Sequence, residues 1–157
     1  MKRAVRALSR WWIALPALAV YMAAVAAPAR WWFDPVSVVI GDAPAGSAPM
    51  VTVNRTTRSL PPWPFLARYS VDVRLVGHAG APACNGSGEV RYLPGLTEPA
   101  SMDLVQWADD NPRCGRLTAG EYFAETCWTI INPLFLFIVP PKTVCAVSNP
   151  FRIGDAS

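Results

Sequence analysis

One histidine, His78, is all the imidazole that this chain of 157 residues contains. A catalytic histidine works with an oriented carboxylate and a nucleophile. No G-x-S-x-G turn or other nucleophile motif accompanies His78, which sits among Gly, Ala and Pro and reads as a solvated loop residue. Charge is scarce as well: 16% of residues are charged, against about 25% in ordinary chains. The net charge is +3, and much of the excess is Lys2, Arg3, Arg6 and Arg10 at the N-terminus. The rest carries no general basic character, so nucleic-acid binding is not expected. Asp109 and Asp110, with Glu98, are the candidates for an acid/base pair or a calcium site. Yet "WADDNPRC" lacks the alternating ligand spacing of a calcium loop and reads as a polar turn opening on Asp/Asn-Pro. No phosphate loop or dinucleotide fingerprint occurs. These absences point away from an enzyme and from a bound cofactor or metal. Sixteen prolines argue against a long-helix protein.

What is present begins with "RWWIALPALAVYMAAVAAPARWW", from Arg10 to Trp32. From Trp12 to Trp31 a helix would rise roughly 28 Å, close to the roughly 30 Å core of a bilayer. No charge lies between the two Trp pairs until Arg30. Trp11, Trp12, Trp31 and Trp32 then stand at the two interfaces, where an indole is half apolar and half wet. The basic cluster precedes the run, so residues 1–10 are expected as a cytoplasmic tail and the body outside the cytoplasm. Residues 11–32 are the expected single transmembrane helix. The alternative is a cleaved signal peptide, with Ala24-Val25-Ala26 as the small-residue site. Both send the body across the inner (cell) membrane into a periplasmic or extracellular space.

After Trp32 the pattern changes to period two. In "ARYSVDVRLVG", Tyr69, Val71, Val73 and Leu75 share one face, and Ser70, Asp72 and Arg74 the other. Further strands are expected in "PVSVVI", "MVTVNRT", "GEVRYL", "SMDLVQW", "EYFAETCWTII" and "KTVCAVSNPFRI". Turn-rich pieces, among them "GDAPAGSAP", "SLPPWPF" and "GHAGAPACNGSG", separate them. About seven short strands at this spacing suggest a two-sheet sandwich. Residues 33–49 form a linker and first strand, and 50–157 the mainly β sandwich.

"LTAGEYFAETCW" resembles the tyrosine corner of immunoglobulin-like and fibronectin-III-like sandwiches. Leu117, Gly120 and Tyr122 carry the likeness, which implies a Tyr hydroxyl bonded to backbone upstream. Ala124 stands where antibody-type domains have a cysteine. More loosely, "CNGSGEVRYLPG", "LVQW", "CWTI" and "SNPFRI" resemble small membrane-anchored proteins of bacterial prophage-like regions. That likeness implies an anchored sandwich and no particular activity.

Cys84, Cys114, Cys127 and Cys145 form no C-x-x-C pair, so zinc ribbons and thioredoxin-like sites are not expected. An even count in an oxidising compartment implies two disulfides, with three pairings possible. Parity favours one. If Tyr122 points inward, Cys127 points outward and suits a bridge to the neighbouring last strand at Cys145. Cys84 would then join Cys114, linking two loops.

One stretch invites an interaction reading: Leu134, Phe135, Leu136, Phe137, Ile138 and Val139, bracketed by prolines. It is too short to span a bilayer. As an exposed tip it would contact a protein partner or membrane; otherwise it extends a buried strand. Trp63 and Phe65 in "LPPWPF" are expected to pack across the sandwich end. The expected function is thus a non-catalytic, single-pass membrane-anchored interaction or structural module. The alternatives are a secreted or periplasmic binding domain freed by cleavage after Ala26, and a carboxylate hydrolase.

Overall fold

The computed structural model describes residues 2–31, 33–58, 64–93, 95, 99–131 and 140–154, with side chains in the first helix from Trp12 onward. Helix α1 spans Lys2–Ala26 and is followed by a 3-10 turn at Ala29–Trp31. The strands are β1 Phe33–Ile40, β2 Ala43–Pro44, β3 Met50–Thr57, β4 Phe65–Leu75, β5 Cys84–Tyr92, β6 Ala100–Asp103, β7 Gly120–Ile131, β8 Lys142–Val147 and β9 Phe151–Gly154. Helix α2, Leu104–Trp107, and a 3-10 turn at Pro112–Gly115 lie between β6 and β7.

The strands form two sheets. One has the order β1-β3-β6, all antiparallel. The other has the order β2-β9-β7-β4-β5, with β8 also paired to β7. Period two explains which faces meet. On β4, Val71 and Val73 are fully buried while Tyr69 and Leu75 are half-buried. On β7, Tyr122, Ala124, Thr126 and Trp128 all point inward. The core between the sheets centres on rings: Phe33 lies 4.9 Å from Tyr92 and 5.2 Å from Trp128, centroid to centroid. Burying such rings is the main gain of folding, about 25 cal/mol per Å² of apolar surface.

Several expectations need correction. Helix α1 begins at Lys2 and ends at Ala26, whereas residues 11–32 were expected as the helix. Pro28 has no N–H to continue the helix and disfavours helical geometry at Ala27, so the helix stops short of the second Arg-Trp-Trp, where Ala27 and Ala29 are buried. Strand β5 starts at Cys84, so the end of "GHAGAPACNGSG" is strand; its glycines tolerate the close approach of neighbours at Gly86 and Gly88. "SMDLVQW" is strand only to Asp103. There the side chain accepts the Gln106 N–H at 2.8 Å and caps the short α2.

"KTVCAVSNPFRI" lies along one edge of β7 but breaks into β8 and β9. At the break, Ser148 N–H donates to the Ala124 carbonyl, and Ala124 N–H donates to the Ser148 hydroxyl. Asn149 turns away to the other sheet, accepting the Ile40 N–H at 2.8 Å and donating to the Ile40 carbonyl at 2.9 Å. Its carboxamide thereby satisfies the last residue of β1 as a neighbouring strand would. Phe65 is buried in β4, as expected of the sandwich end; Trp63 falls outside the described residues.

Among the described residues, no helix is long and apolar enough to cross a membrane.

Candidate functional site

Two places combine uncommon chemistry with defined geometry. The first is the junction of α1 and the sandwich. Trp12, Ile13, Leu15, Leu18, Val20 and Met22 are all exposed, Trp12 at 78%. The helix therefore projects an apolar surface that the body does not cover. Its end is held. Lys142, the first residue of β8, donates from Nζ to the carbonyls of Ala24 at 3.1 Å and Val25 at 2.7 Å, and to that of Ala27. The last carbonyls of a helix have no partner within it and carry partial negative charge, so an ammonium there satisfies both needs. Burial against the helix end lowers the Lys142 pKa. Of the four tryptophans placed at interfaces, Trp12 is exposed and Trp31 is exposed at 66%. Trp31 belongs to the 3-10 turn beside the body, not to the helix. The Trp11 side chain and Trp32 lie outside the described residues.

The second place is the corner before β7. Tyr122 is buried, and its hydroxyl donates to the Thr118 carbonyl at 3.0 Å, four residues upstream. The Thr118 hydroxyl lies 3.1 Å from the Tyr122 hydroxyl oxygen. Leu117 is buried, and Gly120 opens β7, where a Cβ would stand 3.3 Å from the Tyr122 ring. Beside it opens a groove of about 280 Å³ between Ala83, the Pro112–Arg116 turn and the Leu117–Tyr122 corner. Arg113 and Arg116 both line it.

Both disulfides form as parity favours. Cys127 and Cys145 are direct partners in the β7–β8 register, with Cα atoms 4.0 Å apart. Cys84 bonds Cys114 across a Cα distance of 5.3 Å. This second bridge joins the start of a strand to a 3-10 turn, not two loops.

Of the acidic candidates, Asp109 and Asp110 are described. Asp109 and Asp110 are exposed and both left-handed, with φ of 58° and 57°. Short polar side chains tolerate that conformation. It reverses the chain so that Asn111 can accept the Arg113 N–H and donate to the Asn85 carbonyl. Their charges act on half-buried Tyr69, whose pKa is raised first by burial and then by these two carboxylates. Burial also raises the pKa of Tyr92, against which Arg55 stacks at 4.9 Å from the ring centroid. His78 is exposed in a turn after β4, and Glu98 lies outside the described residues. Among the described residues no group of three His, Cys, Asp or Glu could hold a metal ion. Leu134, Phe135, Leu136, Phe137, Ile138 and Val139 also lie outside them.

Lys142 is not legible in the sequence, because nothing local marks a strand residue as the cap of a helix over a hundred positions away. The arginine groove is hidden for the same reason, although the three-residue spacing of Arg113 and Arg116 is visible. No protein-family model matches this chain, and the search of curated proteins found no match.

Proposed function

We propose that this chain is a non-catalytic interaction or structural module. An immunoglobulin-like sandwich is held at a membrane by α1, with the N-terminus cytoplasmic and the body in an extracytoplasmic space. The observation that carries this is the exposed apolar helix gripped at its end by Lys142. An uncovered helix of this composition is stable where lipid or another apolar partner covers it. The basic residues before it favour a cytoplasmic N-terminus. Two disulfides suit an oxidising compartment. The corner at Tyr122 supports the immunoglobulin-like reading of the two sheets.

The body would meet its protein partner through scaffolded loops. The sequence 134–139 is the apolar candidate, and its flanks, Ile131 and Lys142, lie at the helix end of the sandwich.

A second reading is a signal peptide cleaved after Ala26. It is favoured by the length of the helix: Trp12 to Ala26 rises only about 21 Å, short of a bilayer core and in the range of a signal-peptide apolar region. A retained helix of that length would draw the bilayer thinner or use its flanking arginines to reach the headgroups. Alkaline carbonate extraction of membranes tests the proposal. The anchor reading expects the protein in the pellet; release into the supernatant contradicts it.

A further inference from the structure

We infer that the groove beside Tyr122 binds a small oxyanion, a carboxylate or phosphate carried on a compact and partly apolar solute. One wall of the groove is the 3-10 turn at Pro112–Gly115. Three residues make one turn of such a helix, so positions three apart lie on the same side. Arg116 follows that turn, and its N–H still donates to the Arg113 carbonyl at 3.1 Å. Arg113 and Arg116 therefore leave the turn on the same side, and both line the groove. No carboxylate is among the described residues lining it. Like charges side by side are unfavourable. A carboxylate or phosphate between them turns that repulsion into two charge-assisted forks, the geometry for which guanidinium is best suited.

The opposite wall is pinned by its own hydrogen bonds: the Tyr122 hydroxyl donates to the Thr118 carbonyl, and the Thr118 hydroxyl donates to the Tyr122 oxygen. Ala83, Pro112 and Leu117 supply apolar lining. The volume, about 280 Å³, falls at the small end of ligand sites, so the ligand is compact.

The walls are fixed before any ligand arrives. The Cys84–Cys114 bridge ties the Ala83 side to the arginine turn. The Tyr122–Thr118 hydrogen bond ties the corner. A site held in this way loses little freedom on binding.

Position in the fold narrows the source of the anion. Tyr122 and Ile130 stand eight positions apart on β7, and Ile130 pairs with Lys142, which grips α1. At about 3.4 Å per residue the groove lies about 27 Å from the helix end. This step rests on the proposed anchor: with α1 in a bilayer, the groove is at the far end of the body. The anion is then a solute of the aqueous space and not a phosphate of that membrane.

The test uses the full chain in detergent micelles, titrated with sodium phosphate or sodium acetate at constant ionic strength. The side-chain N–H signals of the arginines are followed by nuclear magnetic resonance. Saturable shifts confined to Arg113 and Arg116 with either anion support the site, and the anion that saturates names the chemistry. Arg113→Gln with Arg116→Gln should bind at least about tenfold more weakly, the loss expected for a charge-assisted pair. Arg152→Gln should bind as the parent does. Shifts that never saturate, or parent affinity in the double variant, overturn the site. A parallel sample in nanodiscs containing phosphatidylglycerol, with no added solute, tests the source. Unmoved Arg113 and Arg116 signals support a solute; movement there overturns the solute source and leaves the micelle result to judge the site itself.

Discussion

The Lys142 ammonium donates to the Val25 carbonyl at 2.7 Å and so joins strand β8 to a helix 117 positions earlier. Together with the contacts to Ala24 and Ala27, this fixes where the helix leaves the body. Ala27 and Ala29 pack beneath the joint, so polar and apolar contacts act at one point. Replacing Lys142 by Met keeps the stem and removes the donor. The expected cost is about 1 kcal/mol, as for a cation lost from a helix C-terminus. The direct measurement is the distance between spin labels placed at Ala19 and Ser70. One narrow distribution is expected in the parent and a broad one in Lys142→Met. A distribution unchanged by the substitution would show that the joint does not depend on this side chain.

The corner gives a second expectation. Tyr122→Phe retains the ring, which stacks 5.9 Å from Phe151, and removes only the hydroxyl. The Thr118 carbonyl then loses its donor. Stability should fall by about 1 kcal/mol, the usual worth of one such bond. Urea unfolding should show a lower midpoint at an unchanged slope. An unchanged midpoint would mean the corner hydrogen bond contributes nothing to holding the sheets together.

Gly86 tests the packing of α2 on β5. A Cβ at Gly86 would stand 2.3 Å from the Ala108 carbonyl oxygen and 2.4 Å from the Ala108 Cα. The obstacle is backbone and cannot swing aside. Gly86→Ala should cost about 2–3 kcal/mol, as overpacking does. Gly80→Ala meets nothing within 4 Å and has no left-handed constraint, so it should change stability by less than about 0.5 kcal/mol. Equal melting of the two variants would place Ala108 elsewhere.

The two disulfides should differ in access. Cys84 and Cys114 are buried at 2% and 0% exposure, whereas Cys145 is exposed on the outer face of β8. A thiolate must reach the sulfur it attacks. Mild reductant on the folded protein, followed by alkylation and peptide mass analysis, should therefore label Cys127 and Cys145 first. Labelling of Cys84 and Cys114 should wait for unfolding. The reverse order would contradict the burial of the first bridge.

The parts of this molecule legible in its sequence are those set by neighbours along the chain. Alternation on β4 and β7 told which residues face inward, and that parity placed Cys127 opposite Cys145. Leu117, Gly120 and Tyr122 marked the corner because the motif is local. Contacts between distant segments were not legible. Asn149 reaching Ile40, Lys142 reaching Val25 and Ala108 lying on Gly86 depend on how the sheets stack, which no spacing records. The misread of "SMDLVQW" has a local cause. Its apolar residues fit a strand, but Asp103 accepts the Gln106 N–H and turns the chain into α2. Ala27 and Ala29 look like further span, but Pro28 between them ends α1 and both alanines are buried.

The central claim is that α1 stays attached and holds the sandwich at a membrane. The mass of the protein purified from the membrane fraction tests it most directly. The account expects a chain that retains residues 2–26, found with the membranes. A chain beginning at Ala27, recovered from the soluble fraction, would contradict it.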